Sequence, residues 1–196
     1  MVGADYGHWS WYRKRNSPRH LEKLYTQKQG DVVVPNNEIS TRLATMEDSR
    51  TVWSWRNESL ARLMSINSEP ISWNDHQNWM RLIIKDKNII LLIAQKDLVD
   101  IGVVRFETNK KSTKLTVHIN LNPIARSKGL SRNILLSSLK HVKGIRDYND
   151  CTLSAQIKKI NEPSIRLFKS LGFKQTKNAS GLATYESKLS SIMGCN

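Results

Sequence analysis

Residues 113–121 alternate strictly between apolar and polar side chains, and an amphipathic helix is predicted only a few residues later. The apolar members of the alternating stretch are Leu115, Val117, Ile119 and Leu121. The helix places an apolar stripe on Leu130, Ile134, Leu135, Leu139 and Val142. A period of two residues followed by one of about 3.6 predicts a strand and a helix that share one core. The fold is thereby restricted to sheets covered by helices.

The stretch between this strand and this helix, residues 122–133, carries more positive charge than a turn requires. Arg126, Lys128 and Arg132 surround Gly129 and the small Ser131. The first turn of a helix offers unpaired N–H groups and a partial positive charge, and a glycine lets an anion approach the backbone closely. We therefore expect a cradle for a pyrophosphate group here, with an ordinary basic turn as the alternative.

Further strands and helices are predicted on both sides of this unit. The strand candidates are residues 39–44, 89–95, 101–107, 113–121, 152–157, a segment from Phe173 onward, and 183–188. Helices are predicted after the capping residues Thr45, Ser72 and Asn161, in addition to the helix after the basic loop. The order β-α-α-β-β-β-α-β-α-β-β predicts an α/β fold of the α+β kind, in which helices pack on one mixed sheet.

The chain has 196 residues, enough for one domain with a full core and an extension. Residues 1–38 contain aromatic side chains, then a basic patch, and end near turn-forming residues. We expect them to be a flexible or loosely docked N-terminal extension. A partner-binding appendage and the remnant of an upstream domain are the alternatives. The domain itself is expected at residues 39–190, followed by a C-terminal tail at 191–196.

The net charge of +14 indicates a protein that attracts polyanions, such as nucleic acid, anionic membrane or phosphorylated small molecules. Residues 1–38 hold six Lys or Arg and four Asp or Glu, a net of +2, so the remaining +12 is spread over the body. The longest aliphatic run is too short to cross a bilayer, and no apolar signal segment is visible. The two cysteines match neither metal-ligand spacing nor a disulfide framework. A cytoplasmic protein without a metal or a membrane partner is therefore expected.

The basic loop resembles the acetyl-CoA loop, R/Q-x-x-G-x-G/A, of the GNAT N-acetyltransferase superfamily, with Ser131 at the last position. Residues 160–173, INEPSIRLFKSLGF, resemble a later motif of the same superfamily. The resemblance spans roughly residues 39–190. It implies a central mixed sheet of six to seven strands, about four flanking helices, and acetyl-CoA as co-substrate. The cofactor contacts that it implies are Leu121, Arg126, Ser127, Lys128, Gly129, Leu130, Ser131, Asn161, Ser164 and Phe168.

Residues 53–80 resemble the W-R-N … S … H-x-x-W pattern of one branch of the superfamily. That branch includes the amino-sugar N-acetyltransferases of the pseudaminic acid pathway, which acetylate a UDP-linked 4-amino sugar. Arg56 would then pair with a phosphate, Asn57 and His76 would bond sugar hydroxyls, and Trp79 would stack on a ring. Core packing is the alternative for the tryptophan, and a hydrogen-bonded helix-face histidine is the alternative for His76.

The resemblance implies direct attack of an amine on the thioester in a ternary complex. Pantetheine would lie between residues 117–121 and 153–157, where the two strands splay apart. A backbone N–H near Leu121 or Asn122 would polarise the thioester carbonyl. The family often places a glutamate base in the strand before the loop, and residues 113–121 contain none.

His118 is the candidate base, and Asn120 shares its face of the strand and is assigned with it to the catalytic centre. A structural histidine and an ordered water are the alternatives. Phe168 stands where the family usually has a tyrosine that protonates the leaving thiolate. Water or a hydroxyl of Ser164 or Tyr148 would have to replace it.

Three classes of function stay open. The first is acetylation of a nucleotide-linked amino sugar, which the W-R-N and H-x-x-W pairing favours. The second is acetylation of a protein α-amine, such as that of a ribosomal protein. The third is a non-catalytic module that binds nucleic acid through the basic surface, although no nucleic-acid motif is present. A homodimer is compatible with all three.

Overall fold

The structure is a computed structural model that describes residues 38–108, 113–145, 148 and 151–194. These residues fall in the compact unit Ile39–Asn196, apart from Glu38. The predicted extension at residues 1–38 therefore lies outside the described residues, again apart from Glu38.

The described residues contain seven strands. They are β1 (Ser40–Leu43), β2 (Ile89–Lys96), β3 (Val99–Thr108), β4 (Lys114–Leu121), β5 (Thr152–Lys158), β6 (Lys174–Ala179) and β7 (Leu182–Lys188). They form one sheet in the order β1-β2-β3-β4-β5-β7-β6. The pairing of β4 with β5 is parallel, and all other neighbours are antiparallel. The predicted mixed sheet is thus confirmed, and its single parallel pair lies at the centre.

Six α-helices accompany the sheet in the same part of the chain. They are α1 (Ser49–Asn57), α2 (Ser59–Met64), α3 (Trp73–Ile83), α4 (Ser131–Ile145), α5 (Glu162–Ser170) and α6 (Leu189–Met193). The four longer ones were predicted, although α1 is preceded by a 3₁₀ turn at Met46–Asp48. The short helices α2 and α6 were not predicted. Because α6 includes residues 191–193, the start of the expected C-terminal tail is helical instead.

The sheet carries a hydrophobic core on each face. On one face, α4 and α5 pack their apolar side chains against strand residues such as Val104 and Phe106. On the other face, Val52 and Trp55 of α1 and Met80 of α3 pack against β2 and β3. The predicted apolar face of β4 is confirmed, since Leu115 and Val117 are buried on the α4 side. His118 and Asn120 therefore face the side of α1 and α3.

Capping side chains fix where the helices on the second face begin. The Thr45 hydroxyl accepts the amide of Glu47 at 3.3 Å, and the Asp48 carboxylate accepts the amide of Thr45 at 2.8 Å. The Ser72 hydroxyl accepts the amide of Asp75 at 3.1 Å at the start of α3. Both capping signals were visible in the sequence and both are confirmed.

None of the helices in the described ranges is long and apolar enough to cross a membrane.

Candidate active site

A gap between β4 and β5 splits the sheet at its centre. The two strands pair in register only as far as Thr116 and Ser154, and the described residues show no pairing between them beyond that point. β4 nevertheless continues along β3 to Leu121, and β5 continues along β7 to Lys158. The predicted splay between the two strands is present, but it starts after Ser154 and not at Leu153.

The peptide groups of β4 alternate in direction, so that every second one faces this gap. The amide of Asn122 donates to the carbonyl of Ile101, beside β3, at 3.0 Å, whereas the carbonyl of Thr113 accepts the amide of Thr152 on β5 at 2.9 Å. Even-numbered residues of β4 therefore direct their backbone groups to β3, and odd-numbered residues direct theirs to β5. The odd-numbered residues beyond the paired part are Val117, Ile119 and Leu121.

These backbone groups form a strand edge that has no neighbouring strand in the described part of the chain. Buried or half-buried peptide groups require hydrogen-bond partners, and an extended ligand with amide groups can supply them as an added strand does. Pantetheine is a ligand of this kind. Its placement here stays a prediction, and the edge has the chemistry that the prediction requires.

The same alternation distinguishes the backbone amides of Leu121 and Asn122, the two candidates for polarising a thioester carbonyl, because they point in opposite directions. The amide of Asn122 is engaged by Ile101, as described above, and the Asn122 side chain is buried and bonded to the carbonyl of Asp100 at 3.1 Å. The amide of Leu121 points to the gap instead. Of the two backbone groups, Leu121 is thus the one directed towards a ligand between the strands.

Two left-handed residues shape the loop after β4, because Ser127 has a φ of 60° and Gly129 a φ of 70°. A Cβ atom added to Gly129 would meet no atom within 4 Å, so the space beside it is open. The amide of Ile134 makes the first bond of α4, to the carbonyl of Leu130 at 2.9 Å. The amides of residues 131–133 precede it and donate to no backbone carbonyl in the described residues. A concave backbone beside a helix N-terminus fits an anion such as pyrophosphate.

The side chains of this loop differ in what they contact. Ser127 and Lys128 are exposed, Leu130 is half-buried against the main core, and Ser131 opens α4. Lys128 is therefore open to a bound phosphate, and the loop begins its helix later than the sequence suggested. The left-handed conformations of Ser127 and Gly129 explain the delay, because helical backbone cannot include them.

Arg126 is paired with a carboxylate that the sequence analysis did not assign to the site. Its Nη1 lies 2.6 Å from Oε2 of Glu58, the residue before α2. The Glu58 carboxylate also accepts the amides of Leu60 at 3.1 Å and Ala61 at 3.0 Å. Burial raises the pKa of Glu58, but the bonds from Arg126 and these amides outweigh it and lower the pKa to about 2. Arg126 thus joins the loop to α2, and its predicted contact with a pyrophosphate stays a prediction.

A carboxylate also lies beside the candidate base. Oε2 of Glu107 is 3.5 Å from Nε2 of His118, and Oε1 of Glu107 is 2.9 Å from Nε of Arg105. The neighbouring His118 and Arg105 lower the pKa of Glu107 against the opposite effect of partial burial. The His118 side chain is 41% exposed, although its Nε2 atom, next to Glu107, is inaccessible. Asn120, half-buried, follows on the same face.

The sequence did not indicate Glu107, because the family's glutamate stands on the strand before the loop and Glu107 lies one strand away. It lies on β3, where the register pairs Arg105 with His118 and Glu107 with Thr116. The available signal was the alternation of β3, which puts Arg105 and Glu107 on the face opposite Val104 and Phe106. A histidine next to an ionised carboxylate can accept a proton while its ring is held in position.

A row of rings crosses the face of α1 and α3. Trp53 and Trp73 have centroids 5.6 Å apart, Trp73 and His76 6.0 Å, and His76 and Trp79 5.3 Å. His76 is 2% exposed, and burial lowers its pKa against the effect of a hydrogen bond with the Ser49 backbone. The ring is therefore neutral at pH 7 and lies inside the row, not on an open surface. Its predicted bond to an acceptor sugar stays a prediction that this conformation does not favour.

The other predicted acceptor contacts have structural partners as well. Nδ2 of Asn57 donates to the carbonyl of Ile71 at 2.8 Å, and Oδ1 accepts the amide of Ile71 at 2.8 Å. Nη2 of Arg56 donates to the carbonyl of Asn67 at 2.7 Å. Trp79 packs beside the second core, with Cζ of Arg105 5.5 Å from its ring centroid. Asn57 is thus used to hold the loop before α3, whereas Arg56 and Trp79 are only partly buried.

The predicted contacts on α5 are placed by its cap and its packing. Oδ1 of Asn161 accepts the amide of Ser164 at 3.2 Å, which confirms Asn161 as the N-cap. Phe168 is 2% exposed and packs edge to face on Phe173 at 4.9 Å between centroids. The part that these three residues play towards a cofactor stays a prediction, and Phe168 lies within the core.

Comparison with known protein families gives a match over most of the chain. The model of the acetyltransferase (GNAT) domain matches residues 39–174. Among curated proteins, an uncharacterized protein of Methanocaldococcus jannaschii is 28% identical over 145 residues, which are 72% of this chain and 29% of that protein. The chain therefore spans less than a third of the length of this relative.

Solved structures share the fold. A domain from Methanocaldococcus jannaschii has a TM-score of 0.65 and 25% identity, covering 77% of this chain and 98% of that one. An N-acetyltransferase from Staphylococcus aureus has a TM-score of 0.62 and 20% identity over 78% of this chain and 99% of that one. A spermidine N-acetyltransferase from Vibrio cholerae, solved with CoA and spermine, has a TM-score of 0.70 and 17% identity over 81% and 100%. The last two likenesses concern the fold alone.

Proposed function

Since the chain belongs to the acetyltransferase (GNAT) domain family, we propose that it transfers the acetyl group of acetyl-CoA to a primary amine. The acceptor that we propose is the 4-amino group of a UDP-linked amino sugar, as in pseudaminic-acid-like surface-glycan biosynthesis. Acetyl-CoA supplies the activated thioester, and the chain supplies the positions of both substrates.

The observation that carries the proposal is the open edge of β4 directly before an anion-binding loop. The odd-numbered residues of β4 offer amides and carbonyls to the amide groups of pantetheine. The loop at Gly129 and the first turn of α4 offer N–H groups to the pyrophosphate at the other end of the same ligand. One strand and the turn after it thus match a ligand that is a diphosphate at one end and a peptide-like chain at the other.

The chemistry that we propose uses a backbone donor and a side-chain base. The amine nitrogen bonds to the thioester carbonyl carbon, the C–S bond breaks, and the thiolate of CoA leaves. The amide of Leu121 donates to the carbonyl oxygen as negative charge develops on it. His118 accepts the proton that the amine loses, and Glu107 holds the resulting imidazolium. Phe168 has no proton to give, so CoA leaves as the thiolate, which lies about 2 kcal/mol above the thiol at pH 7 for a thiol pKa of ~8.5, and water then protonates it.

Release of free thiol tests this function. The protein is incubated with acetyl-CoA and one acceptor in each reaction. The four acceptors are a UDP-linked 4-amino sugar, the same amino sugar without its nucleotide, spermine and a basic peptide. We expect thiol release with the UDP-linked sugar, and protection from thermal unfolding by acetyl-CoA of about 2.7 kcal/mol at one hundred times the dissociation constant.

The substitution Gly129→Glu tests the cofactor loop. A carboxylate at this left-handed position strains the backbone and repels the diphosphate, so both thiol release and thermal protection should disappear. Unchanged protection in this variant, or no protection of the native protein by saturating acetyl-CoA, would refute the proposed cofactor site.

A further inference from the structure

Residues 56–68, which we call the α2 bridge, connect the two sides of the gap between β4 and β5. Near its start, Glu58 is paired with Arg126 in the loop after β4 at 2.6 Å. Near its end, Nζ of Lys158, the last residue of β5, donates to the carbonyl of Leu63 at 3.1 Å and to Oγ of Ser68 at 2.7 Å. The bridge therefore links the loop after β4 to the end of β5, the two segments that flank the open part of the gap.

Three cations lie on or against the α2 bridge and have no carboxylate partner among the described residues. Arg56 and Lys158 donate to neighbouring residues of the same loop, Asn67 and Ser68. Arg62 stands between them in sequence, on α2. Among the described residues, none of the three cations forms an ion pair.

The carboxylates on and next to the α2 bridge, Glu58 and Glu69, are not paired with these cations. The Glu58 carboxylate is bonded to Arg126 and to the amides that open α2. Glu69, the next acidic residue along the loop, is exposed and forms no ion pair within the described ranges. The positive charge of the cluster is therefore left uncompensated by the protein.

Two guanidinium nitrogens of this cluster are also buried without acceptors. Nη1 of Arg56 and Nε of Arg62 are inaccessible and have no hydrogen-bond partner among the described residues. Burial lowers the pKa of Arg56, and the charge of Arg62 lowers it further. Buried donors without acceptors, on like charges that repel each other, are unfavourable unless an anion joins them. A phosphate that these cations bind offsets their mutual repulsion, because it accepts several charge-assisted hydrogen bonds at once.

We propose that Arg56, Arg62 and Lys158 bind a phosphate group of the acceptor, so that the substrate is a phosphate-bearing amine and not a polyamine. The inference rests on the proposed function and specifies its acceptor. A polyamine would bring further positive charge to the cluster. The phosphates of the cofactor have their own cradle at Gly129, on the Arg126 side of the α2 bridge.

A binding experiment tests the cluster without requiring turnover. Protein saturated with CoA, which fills the cofactor loop, is titrated with inorganic pyrophosphate and with UDP by calorimetry. The double substitution Arg62→Gln with Lys158→Gln should weaken both by about tenfold or more. Arg81→Gln with Lys85→Gln is the matched control, because it also removes two positive charges, from exposed positions on and just after α3, and it should stay within about twofold of the native protein.

A kinetic experiment then separates this inference from the proposed function. The double variant should raise KM for the UDP-linked 4-amino sugar by about tenfold, with KM for acetyl-CoA unchanged. Thiol release with spermine or a peptide but not with phosphate-bearing amines would overturn the inference while acetyl transfer survives. Absence of thiol release with every acceptor, with pyrophosphate binding still lost in the double variant, would refute the function and leave the anion site standing. Failure of CoA-saturated native protein to bind pyrophosphate or UDP would overturn the inference.

Discussion

His118 and Glu107 show how much one neighbouring side chain changes the chemistry available to another. The two side chains lie 3.5 Å apart on adjacent strands, and the lowered pKa of Glu107 keeps its carboxylate ionised at neutral pH. We propose that this pair replaces the glutamate base that β4 lacks, with Glu107 holding the ring of His118 in position.

We expect His118→Ala to lower kcat by about 10²-fold, because a positioned base contributes at least that much to proton transfer. Acetyl-CoA should still protect this variant from thermal unfolding, since the open edge of β4 is made of backbone. Glu107→Gln should give a smaller loss and shift the pH profile of kcat, measured from about pH 6 to 9. Profiles of both variants that superimpose on the native one would remove the pair from the mechanism.

At the scale of elements, the alternation of β4 makes a prediction for individual amides. Binding of acetyl-CoA should slow hydrogen exchange at the gap-facing amides of Val117, Ile119 and Leu121. The amides of His118 and Asn120 already face β3, so their exchange should change far less. Residue-resolved exchange by NMR, with and without CoA, measures this. Equal protection of odd and even residues would show that the ligand does not bind along this edge.

The longer elements were predictable because their hydrophobic periodicity extends over enough residues to be recognised. Every predicted strand is present with its ends within a few residues, and three of the four longer helices follow the predicted caps Thr45, Ser72 and Asn161. The helix α2 was not predictable in this way, since none of its residues is buried and its stability comes from the Glu58 cap and the bond to Arg126. The helix α6 has five residues, too few to show a period.

The candidate site was predictable only where it is local in sequence. The loop from Arg126 to Ser131 could be read because the strand, the glycine and the helix follow one another directly. Glu107 and Glu58 could not be recognised from the sequence. The partner of Glu107 depends on the register between β3 and β4, and that of Glu58 depends on a contact between distant segments. His76 and Asn57 were assigned to the acceptor from the motif, whereas burial and hydrogen bonding to the backbone determine their surroundings in the structure.

At the scale of the whole molecule, the Glu58–Arg126 pair joins segments 68 residues apart in the chain. The pKa of Glu58 is about 2 in the folded protein and 4.5 as its ordinary value. The unfolded chain therefore binds the proton first as the pH falls. The pair contributes its full stability above pH 4.5, and this contribution is lost between about pH 4.5 and 2.

Glu58→Gln should therefore lower the free energy of unfolding at pH 7 by about 1 kcal/mol, a modest value because solvent screens a partly exposed pair. The difference from the native protein should shrink as the pH falls below 4.5, as measured by urea unfolding across this range. Glu162→Gln, which alters an exposed pair with Arg166 at 3.8 Å, is the matched control and should change stability by less than about 0.5 kcal/mol. A difference between the Glu58 variant and the native protein that is constant with pH would contradict this assignment.

The open edge of β4 consists of groups that every amino acid except proline possesses. If acetyl-CoA binds along this edge as proposed, most side chains of the strand can change in evolution without loss of donor binding. Selection for a new acceptor acts on a different set of atoms, the side chains that the second face of the sheet presents. Main-chain groups would thus bind the donor and side chains the acceptor. With this division, a new acceptor requires no change in the part of the fold that binds the donor.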